Sequence, residues 1–218
     1  MWNAGALLDT IQELLGEPVG GFYNITRRLA HLSQAQNEMV VETSAIQEDG
    51  QLDVEPGRAE YWLPDLFVRF GDRQPYLGDS ALEVVPPRAL DMMYPAWRSG
   101  KDKGTPQYIV QEGRAVFLYP TPNDAGTLHY NYIPYVLPLL ELEQLPFNER
   151  LDLNRFAPAL AYKVAATLVA PRAPQLAQMY EGMYVGEEKK MRHFVRSNAQ
   201  KPQSIYPTTR WGRHAARD

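Results

Sequence analysis

The carboxylates are the residues in this chain with the types and spacing to do chemistry. Asp65, Asp72, Asp79 and Glu83 fall within one short stretch. Two carboxyl groups held on opposite sides of a bond can serve as general acid and general base, as in glycoside hydrolysis. Proximity in sequence is all that groups these four, and acids in loops are ordinarily just solvated. The other catalytic templates are missing. The chain has no cysteine, which removes disulfides, thiolate metal sites and cysteine nucleophiles. Its four histidines, His31, His129, His193 and His214, are scattered and form no metal-binding pair. There is no G-x-x-x-x-G-K-[ST] phosphate loop and no G-x-S-x-G elbow. Gly20-Gly21, Gly100 and Gly104 do not compose a dinucleotide fingerprint. No metal or cofactor is expected, and the chain reads as non-enzymatic.

Charge is more informative than catalysis. The net value of −4 hides a segregation. Residues 189–218 hold eight basic side chains against Asp218 alone, or +7. The preceding residues hold 14 basic and 25 acidic side chains, or −11. The basic end suits an acidic partner or nucleic acid, and the acidic body repels DNA. Within that end, Ile205, Tyr206, Arg210, Trp211, Arg213 and Arg217 interleave large anchors with arginines. Tyr, Trp and Arg are the types that dominate interface hot spots. Basic residues among aromatics can also stack on single-stranded nucleic acid. Docking to a partner protein is the reading preferred here.

The elements that must position these groups follow from periodicity. The 44% hydrophobic content is that of a folded protein, no apolar run approaches the ~20 residues that span a bilayer, and Met1-Trp2-Asn3-Ala4 lacks the basic start of a secretory signal. Asn3 caps a first helix carrying Leu7, Leu8, Ile11, Leu14 and Leu15, stopped by Gly16. Asn24 caps a second, with Ile25, Leu29, Leu32, Met39 and Val40 on one face and Arg27, Arg28, Gln34, Gln36 and Glu38 on the other. It should fade near Ala45. Leu82-Glu83-Val84-Val85-Pro86-Pro87 is extended and feeds a helix bearing Leu90, Met93 and Trp97, which ends near Gly100. Residues 104–138 read as a three-stranded meander, turning at Glu112-Gly113 and at Asn123-Asp124-Ala125-Gly126. Prolines 120, 122 and 134 mark strand ends. A helix opening at Asn148 or Asn154 either starts near Ala157 or kinks at Pro158, and Pro171 ends it. The last helix runs from Pro174 to about Arg196 on a stripe of Leu176, Met179, Tyr180, Met183, Tyr184, Met191, Phe194 and Val195. Residues 200–218 are expected to be an extended arm.

The order helix pair, strands, helix pair carries a resemblance. The strings Gln34-Ala35-Gln36-Asn37-Glu38, Leu63-Pro64-Asp65, Gly104-Thr105-Pro106-Gln107-Tyr108, Leu118-Tyr119-Pro120-Thr121-Pro122 and Tyr130-Asn131-Tyr132-Ile133-Pro134 complete it. In these the chain resembles the head-to-tail adaptor, or connector, proteins of tailed bacteriophages. The resemblance implies an α+β fold: a helical bundle with an inserted antiparallel β-domain and an extended C-terminal arm. The expected division is residues 1–50 and 148–198 as the two helix pairs, 51–147 as the β-rich insertion with one short helix, and 199–218 as the arm. It further implies a virion protein at the neck that forms a ring, of twelve copies by family analogy, under the portal protein and above tail or nozzle proteins. Genomic DNA would pass through the ring without sequence-specific binding, and no membrane is involved. The arm would reach the portal. Tyr108, Tyr119, His129, Tyr130 and Tyr132 would contact neighbouring copies or the tail. Residues 60–85 match no feature of the family pattern.

Two other function classes compete. An adhesion module would stack sugar on Trp97, Tyr119, Tyr130 and Tyr132, although it has no need of helical halves and a basic arm. A cell-wall hydrolase would rest on the carboxylates above.

Overall fold

The computed structural model describes residues 1–16 and 24–199. Each helix starts and stops where its end residues demand. α1 (Ala4–Leu15) begins at Asn3, whose side-chain oxygen accepts the Ala6 N–H at 2.9 Å. It ends at Gly16, whose φ of 61° turns its N–H back to the carbonyls of Gln12 and Glu13. α2 (Ile25–Thr43) begins at Asn24, which accepts from Arg27 N–H at 2.8 Å. α3 (Pro87–Met93), α4 (Pro158–Val169) and α5 (Pro174–Ala199) all start with proline, where the missing N–H costs nothing. Pro158 therefore opens α4 and does not kink it. A 3₁₀ turn over Asn154–Phe156 precedes it.

The strands form two main sheets. One is built on β11 (Gly126–Pro134). β1 (Glu48–Val54) pairs antiparallel along one edge of β11, from Glu48 opposite Tyr132 to Val54 opposite Gly126. β3 (Phe67–Phe70) and β4 (Tyr76–Leu77) share the other edge, and β5 (Ser80–Ala81) pairs β4. The second sheet has the order β2 (Glu60–Trp62), β9 (Ala115–Tyr119), β8 (Tyr108–Glu112), β6 (Glu83–Val85). Only β6 runs parallel to its neighbour in that sheet. A short parallel ladder joins β7 (Lys103–Gly104) to β10 (Thr121–Pro122). The class is α+β.

Two expectations are corrected here. The stretch 104–138 is not a meander. β8 and β9 form a hairpin whose two-residue loop carries Gly113 at φ 63°, but β11 joins the other sheet. The edge of β9 that β11 would have used is held by β2, so residues 60–85, which matched no family feature, supply β2 to β6. The helix expected to run to Gly100 breaks after Met93. Pro95 follows Tyr94 and drives it to φ −139°, ψ 78°, outside the helical region, and Trp97–Ser99 form a separate 3₁₀ turn.

Packing follows from the period-two alternation of the strands. Ile109, Val116 and Leu118 face Val54, Phe70, Leu128, Tyr130 and Tyr132 of the first sheet, forming a core between the sheets. The alternate residues Val110 and Tyr119 face outward and are covered by Leu90 and Trp97. The helical core gathers Leu7, Ile11, Leu32, Met39, Leu160, Val164 and Met191, and it also receives Ile133 from β11. β11 thus sends Tyr130 and Tyr132 into one core and Ile133 into the other. Burial of each large side chain is worth about 1.5–3 kcal/mol. Arg69 on β3 ties the parts together by donating to the carbonyl of Val41 at 2.7 Å, in the last turn of α2.

Candidate interaction surface

After β11 the chain runs through residues 135–153 without regular structure until the 3₁₀ turn before α4. A buried irregular segment has backbone groups that need partners. α2 supplies them from three side chains. Asn37 accepts the Val136 N–H at 2.7 Å and donates back to the Val136 carbonyl at 3.0 Å. Gln36 accepts the Phe147 N–H at 3.1 Å and donates to the Leu137 carbonyl at 2.7 Å. Ser33 accepts the Leu139 N–H at 2.9 Å. Gln36 is fully buried, so its assignment to the polar face of α2 is corrected. Its signal in the sequence is its spacing: Leu29, Leu32, Gln36 and Val40 step by three and four residues, the core side of the helix. The first turn of α1 also bonds this segment, through Ala4 N–H to Gln144 and Gly5 N–H to Leu142.

Pinned from within, the segment presents apolar side chains outward. Leu140 is 71% exposed, Leu151 61%, Leu137 58% and Tyr135 46%. Leu66 and Leu142 are exposed as well. Two grooves meet at Tyr135. One, of about 590 Å³, lies between α2 and the segment and is lined by Leu29, Ala30, Leu139 and Leu140, among others. The other, of about 530 Å³, lies between α2 and α5 and is lined by Val41, Glu42, Tyr184, Val185 and Glu188, among others. Asn37, Glu38 and Tyr135 border both.

The second groove is acidic. Lys163 bonds Glu181 at 3.0 Å and stands 3.6 Å from Glu38. Desolvation pulls the Lys163 pKa down, but the hydrogen bond to Glu181 and the two carboxylate charges outweigh it and hold the ammonium form. Arg192 bonds Glu188 at 2.6 Å and lies 3.8 Å from Glu42. Buried Tyr184 sits against these acids. Desolvation first, and then Glu188, Glu38, Glu181 and Glu42, push its hydroxyl pKa far up.

The residues expected to form a contact surface are placed differently. Tyr119, Tyr130 and Tyr132 are buried in this chain's own cores. Tyr132 stacks on Phe67 at 5.5 Å and donates to Glu48 at 2.7 Å. Burial first, then the Glu48 bond, push its hydroxyl up to about 12. Tyr119 donates to Asp102 at 3.0 Å. Tyr108 is half-buried beside Tyr94. His129 is half-buried and stacks on Tyr76 at 4.8 Å. The second sheet covers the face of β11 that carries Tyr130 and Tyr132, whereas Leu90 and Trp97 cover the outer face of the second sheet at Tyr119. Trp97 is buried too, so the four aromatics nominated for sugar offer no open ring face. Of the nominated carboxylates, Asp65 pairs with Arg114, Asp72 accepts from Gln47 at 2.9 Å, and Asp79, in the turn between β4 and β5, and Glu83, at the start of β6, are exposed. Among the described residues no group of three or more His, Asp or Glu could hold a metal ion, and no helix is long and apolar enough to cross a membrane. Ile205, Tyr206, Arg210, Trp211, Arg213 and Arg217 lie outside the described residues.

Comparison with protein families gives a match to the SU10 adaptor protein family over residues 2–207. The match spans both helix pairs, both sheets and the pinned segment, so the chain belongs to that family. No curated protein matches the chain.

Proposed function

We propose, from its place among the phage adaptor proteins, that this chain is a structural component of the virion that forms a ring between portal and tail. The observation that carries the reading is the family match over nearly the whole chain. An adaptor acts by contact, and a non-enzymatic role accords with that. The exposed apolar side chains of Tyr135, Leu137, Leu140 and Leu151 support it, because apolar surface gains from being covered. In this reading these side chains meet a neighbouring copy or a tail protein, the basic arm meets the portal, and DNA passes through the centre. The body's −11 charge suits a channel wall, since negative walls lack the phosphate grip of lysine and arginine.

The test is electron microscopy of the purified protein alone and mixed with a candidate portal ring. A ring stacked on the portal supports the reading. A monomer that ignores portals overturns it. Deleting residues 203–218 separates the arm's part: the fold persists and attachment is lost if the arm docks, whereas normal attachment removes that role.

A further inference from the structure

β1 lies at the end of its sheet, with β11 on one side and no strand among the described residues on the other. Hydrogen bonding identifies which of its backbone groups face the open side. Gly71, just past β3, donates its N–H to the Asn131 carbonyl at 2.8 Å. The backbone groups of the odd-numbered residues of β11 therefore point to β3, and those of the even-numbered residues point to β1. In the β1–β11 register, Tyr132, Tyr130, Leu128 and Gly126 stand opposite Glu48, Gly50, Leu52 and Val54. The N–H and carbonyl groups of Asp49, Gln51 and Asp53 consequently point away from the sheet. Such a row of backbone donors and acceptors is a template for one more strand.

The two faces of β1 say what that strand should be. On the inner face, Val54 is buried in the core between the sheets and Leu52 is partly buried against it. Apolar side chains placed beside them extend that core. On the outer face Asp49, Gln51 and Asp53 are exposed, and β1 itself carries no lysine or arginine. Arg73 pairs with Asp49, and Arg58 with Glu55 just beyond the strand. Among the described residues the carboxylates of Glu48 and Asp53 accept only hydroxyl hydrogen bonds, from Tyr132 and Thr127. A second copy of β1 paired antiparallel would set Asp49 against Asp53, and like charges directly opposite destabilise a pair. A strand with basic side chains outward gains from the same acids. A polar pocket of about 200 Å³ opens on this face, lined by Asp49, Gln51, Gln74, Tyr76 and His129, among others. A side chain on an added strand starts about 4.8 Å from β1, so a lysine stem reaches the pocket across Asp49 and Gln51.

We propose that the open edge of β1 binds an extended segment of a partner protein by antiparallel strand addition at Asp49, Gln51 and Asp53, the segment alternating basic residues on the outer face with apolar residues on the inner one. Backbone hydrogen bonds supply the affinity and the acidic outer face selects the partner. This surface does not depend on the ring reading.

The probe is a peptide of alternating lysine and valine, matched to the seven residues of β1 and titrated into the full chain by fluorescence anisotropy at low salt. Binding is expected, with amide hydrogen exchange slowed at Asp49, Gln51 and Asp53. N-methyl groups on the peptide's lysines, whose N–H groups would face β1, should weaken binding about tenfold or more, whereas N-methyl groups on its valines should be tolerated. A glutamate–valine peptide should not bind, and D53K should weaken the lysine peptide. Q51P removes an edge donor without touching the ladder to β11 and should abolish binding; if that variant fails to fold, the two N-methyl peptides still decide. Absence of binding overturns the proposal, as does equal sensitivity to both N-methyl patterns or binding of the glutamate peptide. Slow exchange at the three amides in concentrated free protein that is lost on dilution also overturns it, assigning the edge to a second copy.

Discussion

Replacing Asn37 by alanine tests the central structural claim, that α2 holds the irregular segment by side-chain amides. Asn37 serves Val136 twice, taking its N–H at 2.7 Å and giving to its carbonyl at 3.0 Å. Val136 is fully buried, so water cannot replace either bond. A buried polar group left without a partner costs about 1–3 kcal/mol. Two such groups, with some relaxation, put the loss at roughly 2–5 kcal/mol. For a chain of this size each kcal/mol moves Tm by about 2–4 °C. The expected fall is therefore on the order of 5–15 °C. Thermal and urea unfolding followed by circular dichroism measure it. The control is Gln34→Ala on the same helix. Gln34 is exposed and bonds Glu38 on its own helix, so its loss should stay within about 0.5 kcal/mol. The same two variants read out function, since a loosened segment no longer holds Tyr135, Leu137 and Leu140 in register for a partner. An Asn37→Ala shift no larger than that of Gln34→Ala would refute the reasoning, because it would mean that the Val136 groups find water or other partners.

Other outcomes follow from the same geometry. Leu140→Glu, at an exposed site, should leave Tm within a few degrees yet weaken ring formation or partner attachment, measured by mass photometry with and without portal; unchanged assembly would exclude this apolar surface from the contacts. Gly50 lies opposite Tyr130, and a Cβ there would stand 2.4 Å from its ring. Gly50→Ala should cost about 1–3 kcal/mol, and a double-mutant cycle with Tyr130→Leu should recover part of it; strictly additive losses would show that the ring is not what collides. The Tyr132 hydroxyl is held protonated to about 12 in the fold against about 10 when unfolded. A raised pKa contributes stability fully below the unfolded value and loses it as pH rises through the folded one. Stability should thus fall between pH ~10 and ~12, and Tyr132→Phe should flatten that fall even though it gives up the Glu48 bond. Identical alkaline profiles for the two proteins would show that Tyr132 ionises normally.

The sequence by itself determined the local punctuation. Asn3, Gly16, Asn24 and Pro174 act within a turn of their own position, so those helix ends were legible from residue type and spacing, whereas Pro158 left a start and a kink both open until the fold placed it at the first turn of α4. The adaptor resemblance was legible for the same reason, being an order of elements with short strings inside them. Tertiary structure decided what neighbours in sequence could not. β11 leaves the β8–β9 hairpin because β2, from some fifty residues earlier, already holds the edge of β9. Tyr119, Tyr130 and Tyr132 look like surface anchors in an alternating strand, yet the covering sheet or helix turns them into core. Gln36 and Asn37 look like solvated helix residues until the segment that they hold is placed against them. Period-two and period-3.6 patterns reveal that an element has two faces. Which of those faces meets another part of the chain, and which is left for a partner, is set by long-range packing.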